Sequence, residues 1–202
     1  MFEFIAKGGF LMLPIIFCSI ISLAIILERG WHLHRAKVDT KSLFFQVERY
    51  IKEKRLNDAL DLCIRTPGPV AKVLAVGIEN HENNPQGREM AISRAGSQEL
   101  RRLGKNLRSL AIIANVTPLL GLLGTVTGMI KAFIKIQELA GRADATVLAG
   151  GIWEALITTA AGLIVAIPAM CAHQYFEGRI DDMALEMKEV VSGLFELIKS
   201  KD

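Results

Sequence analysis

Three long stretches of the chain contain no Asp, Glu, Lys or Arg. They cover residues 10–27, 111–130 and 155–176. A helix needs about 20 apolar residues to cross the hydrocarbon core of a bilayer, which is ~30 Å thick. We therefore predict an all-α membrane protein with three transmembrane helices, at residues 10–28, 110–136 and 147–175.

The polar parts of the chain also show helical spacing. Apolar residues recur every three or four positions over residues 42–54, 56–64 and 70–78, and Pro and Gly or Asn interrupt the pattern after the second and third of these. From Gln86 nothing interrupts the pattern, so we predict one long helix that continues into the second span. After the third span, an apolar stripe from Ile180 to Ile198 predicts another helical extension. The stripe should pack against the helix before span two or against a neighbouring subunit.

Charge gives the predicted orientation of the segments between the spans. Residues 28–109 contain 16 Lys and Arg but only 10 Asp and Glu, whereas the short connection 137–146 contains Arg142 as its only base. Basic loops stay on the cytoplasmic side. We expect a cytoplasmic helical region at 29–109 and a cytoplasmic C-terminal helix at 176–202. The interfacial segment 1–9 and the loop 137–146 should be periplasmic. Retention of basic loops explains the charge, so no nucleic-acid partner is expected.

The sequence contains no complete catalytic constellation. Its three cysteines, Cys18, Cys63 and Cys171, are dispersed and form no metal-binding or redox spacing. It also contains no paired nucleophile and base, and no phosphate-binding loop. We therefore expect neither an enzyme nor a bound metal or cofactor.

Glu154 is the only acidic residue between Val147 and Phe176. A carboxylate at the centre of a membrane helix costs roughly 2.5–3.5 kcal/mol on insertion scales, and such residues commonly mark an ion path. The alternative is an acid near the N-terminus of its helix, stabilised by the positive end of the helix dipole. Thr158 lies one turn further along the same face. The residue alone leaves both interpretations open.

Small and hydroxylated residues accompany Glu154 in spans two and three. Gly124 and Gly128 are four residues apart, which permits close approach of helices, and Gly121 extends this face. Thr159 and Gly162 define a second small face in span three. Threonines in such helices often bond to their own backbone. On these residues alone, the prediction is a polar helical membrane module that could conduct ions.

Three motifs resemble the ExbB/TolQ branch of the MotA/TolQ/ExbB proton-channel family. They are Gly9-Phe10-Leu11-Met12-Leu13-Pro14 leading to Glu28-Arg29, the segment from Thr117-Pro118-Leu119-Leu120-Gly121 through Met129-Ile130, and the segment from Gly151-Ile152-Trp153-Glu154 through Ile167-Pro168-Ala169. Three spans resemble this branch more than the four-span MotA branch. One departure is Thr127-Gly128, where many relatives have Trp-Gly.

The resemblance implies an inner-membrane subunit of a proton-driven motor, with its N-terminus periplasmic and its C-terminus cytoplasmic. It implies a homo-oligomer, a pentamer, around the single-span helices of an ExbD- or TolR-like partner, and force on a TonB- or TolA-like protein. By motif position Thr125, Glu154 and Thr159 match pore-facing residues, and Thr158 is added as a neighbour of Glu154. Pro118 and Pro168 match prolines at which the spans flex or bend.

A non-conducting scaffold is the alternative function. Glycine-rich spans and an amphipathic tail also suit an oligomeric ring that only holds a single-span partner. Replacing Glu154 with Gln discriminates between the two, because only a transducer needs its titratable proton. The sequence leaves open whether such a system serves outer-membrane uptake, envelope maintenance or motility.

Overall fold

The computed structural model describes residues 9–138 and 145–199, without the side chains of residues 145–148 and 198–199. In these residues the regular secondary structure is entirely α-helical. The helices are α1 (Met12–Ala36), α2 (Thr40–Lys52), α3 (Leu56–Arg65), α4 (Pro69–Glu79), α5 (Pro85–Leu103), α6 (Leu107–Glu138) and α7 (Ala145–Lys199). The short helices predicted over residues 42–54, 56–64 and 70–78 are thereby confirmed as α2, α3 and α4.

Within the described residues, three stretches of helix are long and apolar enough to cross a membrane, and they lie in α1, α6 and α7. Large apolar side chains on these helices are more than half exposed, among them Phe17 on α1, Leu119 on α6 and Ile164 on α7. In water, a surface of this kind would favour association. In a bilayer it can face lipid, so the fold fits a membrane protein. The exact limits of the three spans remain predictions.

The two long helices predicted beside the membrane have different outcomes. The extension of span three is confirmed, because α7 continues without interruption from Ala145 to Lys199. The single helix predicted from Gln86 through span two is wrong, because a turn at residues 104–106 separates α5 from α6. Gly104 caps α5, and Asn106 adopts the left-handed conformation with φ 64°. Asn tolerates this conformation better than most residues, and Gly followed by Asn is a helix-stop signal.

The chain divides into two compact units. The membrane unit comprises Met1–Leu27 and Asn106–Gln174, and the extramembrane unit comprises Glu28–Lys105 and Tyr175–Asp202. Of the predicted periplasmic segment 1–9, only Gly9 is among the described residues. Residues 139–144 of the predicted periplasmic loop also lie outside the described residues.

The extramembrane unit has a conventional hydrophobic core. Its fully buried side chains include Val47 from α2, Leu74 from α4 and Leu194 from α7. The predicted stripe on α7 therefore packs within its own chain, where Leu194 lies beside Gly77 of α4 and Gly193 lies beside Phe44 of α2. The helix before span two, α5, contributes Ile92 to the same core, so the stripe shares a core with one of its two predicted partners.

A Pro-Gly-Pro turn, residues 67–69, brings the start of α4 beside the end of α1. Gly68 has φ +124°, a conformation that side-chain-bearing residues rarely adopt. A Cβ at this position would also lie 3.1 Å from the carbonyl oxygen of Ala36. Pro69 occupies the first turn of α4, where the missing N–H costs nothing. This turn forms one wall of a cavity.

Candidate functional site

Helices α6 and α7 contact each other in the membrane unit through backbone and very small side chains. A Cβ added at Gly162 would lie 2.8 Å from the carbonyl oxygen of Thr117, and one added at Gly121 would lie 3.0 Å from the Cα of Thr159. A Cβ at Gly128 would lie 3.0 Å from the carbonyl oxygen of Gly151. The positions pair in opposite chain order, so the two helices run antiparallel. Glycine permits this approach because it has no side chain between the backbones.

The predicted pore threonines donate their hydroxyl protons to backbone carbonyls. Thr159 Oγ1 donates to the carbonyl of Gly121 across the helix pair at 2.8 Å. Thr158 Oγ1 donates to the carbonyl of Glu154 at 2.7 Å, and Thr125 Oγ1 donates to that of Leu122 at 2.6 Å. Thr158 is also buried, and a Cβ at Gly124 would meet its side chain. These hydroxyls thus support the helices, while each oxygen retains capacity as a hydrogen-bond acceptor.

Glu154 forms an ion pair with Lys131 of α6. The Lys131 Nζ lies 2.8 Å from Glu154 Oε1, and the two side chains are 58% and 26% exposed. Glu154 comes nine residues after the first residue of α7, roughly 14 Å along the helix axis at 1.5 Å per residue. The dipole effect fades beyond the first turn, so it does not explain how this carboxylate is accommodated. The lysine does.

Two cavities share the Glu154–Lys131 pair. The first, of about 260 Å³, is also lined by Thr127, Thr158 and Gly124. The second, of about 320 Å³, is also lined by Lys135 and Glu138. The structure thus brings Glu154 and Thr158 together, whereas Thr125 and Thr159 line neither cavity.

Sequence reasoning missed Lys131 and Thr127 as members of this site. Lys131 directly follows the second uncharged run, which gives no sign of a partner in span three, and Thr127 was noted only as a departure from the family motif. A carboxylate can bind a proton and an ammonium group can release one, and protonation of the carboxylate removes one charge of the pair. In the part of the chain that the structure describes, no group of three His, Cys, Asp or Glu side chains could hold a metal ion.

Two prolines lie inside the helices that form the site. Pro118 is within α6 and Pro168 is within α7, and both helices continue through them. Each proline lacks the N–H that would bond to the carbonyl four residues earlier, at Ala114 and Ile164 respectively. The helices are therefore weaker at these points, as flexing would require. That they flex remains a prediction.

Comparisons with known proteins agree on one family. Residues 65–189 match the MotA/TolQ/ExbB proton channel family. An ExbB-like biopolymer transport protein of Synechocystis sp. is 36% identical over 172 residues, which cover 81% of this chain and 65% of the relative. The biopolymer transport protein ExbB of Neisseria meningitidis serogroup A is 30% identical over 172 residues, 78% of this chain and 76% of the relative.

The comparisons include the Tol branch as well. The Tol-Pal system protein TolQ of Haemophilus influenzae is 32% identical over 177 residues, which cover 81% of this chain and 76% of the relative. The chain spans 65% and 64% of the length of two of the relatives it matches, from Synechocystis and Methanothermobacter thermautotrophicus.

Proposed function

Since the chain belongs to the MotA/TolQ/ExbB proton channel family, we propose that it is the proton-channel subunit of an energy-transducing motor rather than an enzyme. Its three apolar helices and its family indicate an inner-membrane protein. The observation that carries the proposal is the Glu154–Lys131 pair, which lines two cavities formed by the membrane-unit parts of α6 and α7. Ionisable side chains inside a membrane are energetically costly, and they commonly mark the path of an ion or a proton.

The proposed mechanism starts from the paired state. When Glu154 takes up a proton, the pair loses its negative member and Lys131 is released to attract another carboxylate. The ExbD- or TolR-like partner would supply that carboxylate from its single membrane helix. Each proton that crosses 100 mV provides about 2.3 kcal/mol. Repeated exchange would thus drive stepwise movement of the partner helix.

The assembly required is a ring around the partner helix. We propose a homopentamer, which is the assembly that membership of the ExbB/TolQ branch implies. Movement of the partner would then exert force on a TonB- or TolA-like protein. The relatives named ExbB and TolQ support both branches of this proposal equally.

The proposed orientation places residues 29–109 and the end of α7 in the cytoplasm. A cysteine probe at Asn83, in the turn between α4 and α5, should be protected from an impermeant reagent added on the periplasmic side. A probe at Ala143, which lies outside the described residues, should react. The opposite labelling pattern would reverse the topology.

Glu154→Gln tests the proton-path role. The amide keeps the size and can still accept a hydrogen bond from Lys131, but it cannot exchange a proton at neutral pH. With its partner coexpressed and the complex placed in vesicles, we expect proton flux under an applied gradient to fall at least roughly 100-fold, the lower end of the range typical for loss of a positioned proton-transfer group. Asp181→Asn, an exposed acid on the same helix, is the matched control and should conduct normally. Gel filtration should show that both variants assemble.

The scaffold function has its own support in the hydroxyls, which are satisfied by backbone carbonyls, and in the close glycine contacts. Both features would serve assembly alone. A Glu154→Gln complex that works like the wild type would exclude Glu154 from the proton path and leave the scaffold as the better-supported function.

A further inference from the structure

A further cavity, of about 400 Å³, lies in the extramembrane unit, where α1 continues past its apolar run. Its walls come from the end of α1, the Pro-Gly-Pro turn, the start of α4 and the end of α5. The charged residues that line it are Glu28, Arg29, Arg35, Lys72, Glu99, Arg102 and Lys105. Basic residues outnumber acidic ones in this set, and the function proposed above makes no use of them.

The two acids of the cavity are already neutralised. Glu28 contacts Arg29 at 2.6 Å, and Glu99 contacts Lys72 at 2.9 Å. Arg35 and Lys105 have no ion-pair partner within residues 9–138 and 145–199. The cavity therefore presents cationic groups that an anion could pair with.

Arg29 and the start of α4 add further donors. Arg29 is 4% exposed, and its Nη1 donates to the carbonyls of Arg102 and Leu103 at the end of α5. Its Nε is buried and has no hydrogen-bond partner among the described residues, a condition that proteins usually avoid. Gly68 precedes α4 and has no side chain to cap the first-turn amides. The positive end of that helix is thus available to an anion.

The position of the cavity along α1 matches the depth of lipid headgroups. Its first residue, Glu28, directly follows the uncharged run. Arg35 comes eight residues after Leu27, which is about 12 Å along the helix axis. A headgroup layer is roughly 5–8 Å thick on each side of the hydrocarbon core. The α1 wall of the cavity therefore passes through this layer and ends just beyond it.

We propose that this cavity binds the phosphate group of an anionic phospholipid headgroup. Guanidinium groups pair with phosphate through two parallel hydrogen bonds, and basic pockets beside transmembrane helices bind anionic headgroups. Arg35 and Lys105 contact the phosphate, while Arg29 orients the end of α5 beneath it. The bound lipid thereby stabilises the turn at residues 104–106, where α5 ends and α6 begins.

The test counts bound lipid directly by native mass spectrometry of the full-length protein in maltoside micelles. Phosphatidylglycerol and phosphatidylcholine of equal chain length are supplied together. The wild type should retain phosphatidylglycerol in preference to phosphatidylcholine. The double variant Arg35→Gln/Lys105→Gln should lose about 30-fold in apparent affinity for phosphatidylglycerol, as expected for two basic residues at an anionic surface. The charge-preserving variant Arg35→Lys/Lys105→Arg should retain most of the binding.

A matched control separates this cavity from general surface charge. Lys41→Gln/Arg108→Gln removes the same charge from exposed positions that do not line the cavity, and should bind phosphatidylglycerol like the wild type. Equal losses in the two double variants, or equal retention of the two lipids by the wild type, would overturn the proposal. Displacement of phosphatidylglycerol by low millimolar inorganic phosphate would assign the site to a soluble phosphate compound, and it would also overturn the assignment to a lipid headgroup.

Discussion

The two units of this chain place opposite kinds of residue at their helix contacts. In the extramembrane unit, helices meet through large apolar side chains such as Val47, Leu74 and Leu194, none of which is exposed. In the membrane unit, α6 and α7 meet at glycines, while large side chains such as Leu119 and Ile164 point away from the contact and are 62% and 71% exposed.

The difference follows from the solvent of each unit. In water, burial of apolar surface drives association, so the largest apolar side chains belong inside. In lipid that driving force between helices is absent, and close packing with interhelical hydrogen bonds takes its place. The bond from Thr159 to the carbonyl of Gly121 is one such interhelical bond. Within this one chain, the surrounding solvent, water or lipid, therefore determines which residues form the contacts between helices.

Truncation of Leu74 should produce the largest effect. Leu74→Ala leaves a cavity in the core of the extramembrane unit and should cost about 2–5 kcal/mol of unfolding free energy. Leu119→Ala, at an exposed position on α6, should cost less than about 0.5 kcal/mol. Thermal unfolding of both variants in micelles measures the contrast. Similar losses would mean that Leu119 is covered within the protomer.

Enlargement of Gly162 should have the next largest effect, and it tests the helix contact in the membrane unit. Gly162→Ala forces a methyl group against the Thr117 carbonyl and should cost about 1–3 kcal/mol. Gly178 lies on the same helix in the extramembrane unit, and a Cβ there would meet no described atom within 4 Å. Gly178→Ala should therefore stabilise by about 0.5–1 kcal/mol through helix propensity. Effects of the same sign would contradict the close contact.

A pH effect should distinguish the extramembrane core. Burial raises the pKa of the Cys63 thiol to about 12, compared with about 8.5 in an unfolded chain. At a pH between these two pKa values, the Cys63 thiol loses its proton only in the unfolded state. This contribution to stability is therefore complete below about pH 8.5 and is lost, by roughly 1 kcal/mol per pH unit, as the pH rises toward 12.

The thermal midpoints of wild type and Cys63→Ala measure this effect between about pH 8 and 10.5. The difference between the thermal midpoints should shift progressively in favour of Cys63→Ala as the pH rises. A gap that stays constant over this range would show that the thiol does not titrate differently in the two states.

Removal of Lys131 should have the smallest effect on stability and a large effect on function. The lysine is more than half exposed, so Lys131→Gln should change the unfolding free energy by less than about 1 kcal/mol. Proton flux through the partner complex should nevertheless fall, because Glu154 loses its counter-charge. Lys188→Gln, at an exposed position of α7 that lines neither of the two cavities, is the control. If both variants conduct normally, the pair has no part in transport.

Much of the helical structure of both units could be predicted because its signals are local. The uncharged runs marked the helices that contain the spans, and the spacing from Leu43 to Ile78 marked α2, α3 and α4. The break at residues 104–106 was missed although Gly104 and Asn106 are themselves a stop signal, because the apolar periodicity continues across them. The glycine spacing also indicated that another helix approaches closely, but it did not indicate which helix.

The sequence by itself determined the membrane class, the family and the helical content, because hydrophobic runs and helical periodicity act over a few turns of one segment. Only the tertiary structure decided that Glu154 pairs with Lys131, that the threonines bond to carbonyls, and that basic residues from α1 and α5 line one cavity. These facts depend on the register of helices far apart in sequence. In α6 and α7 that register is fixed where Gly121 meets Thr159 and Gly128 meets Gly151, since backbones that touch leave no freedom to slide. Glycine contacts thus place a lysine 23 residues away against the only acid of its span.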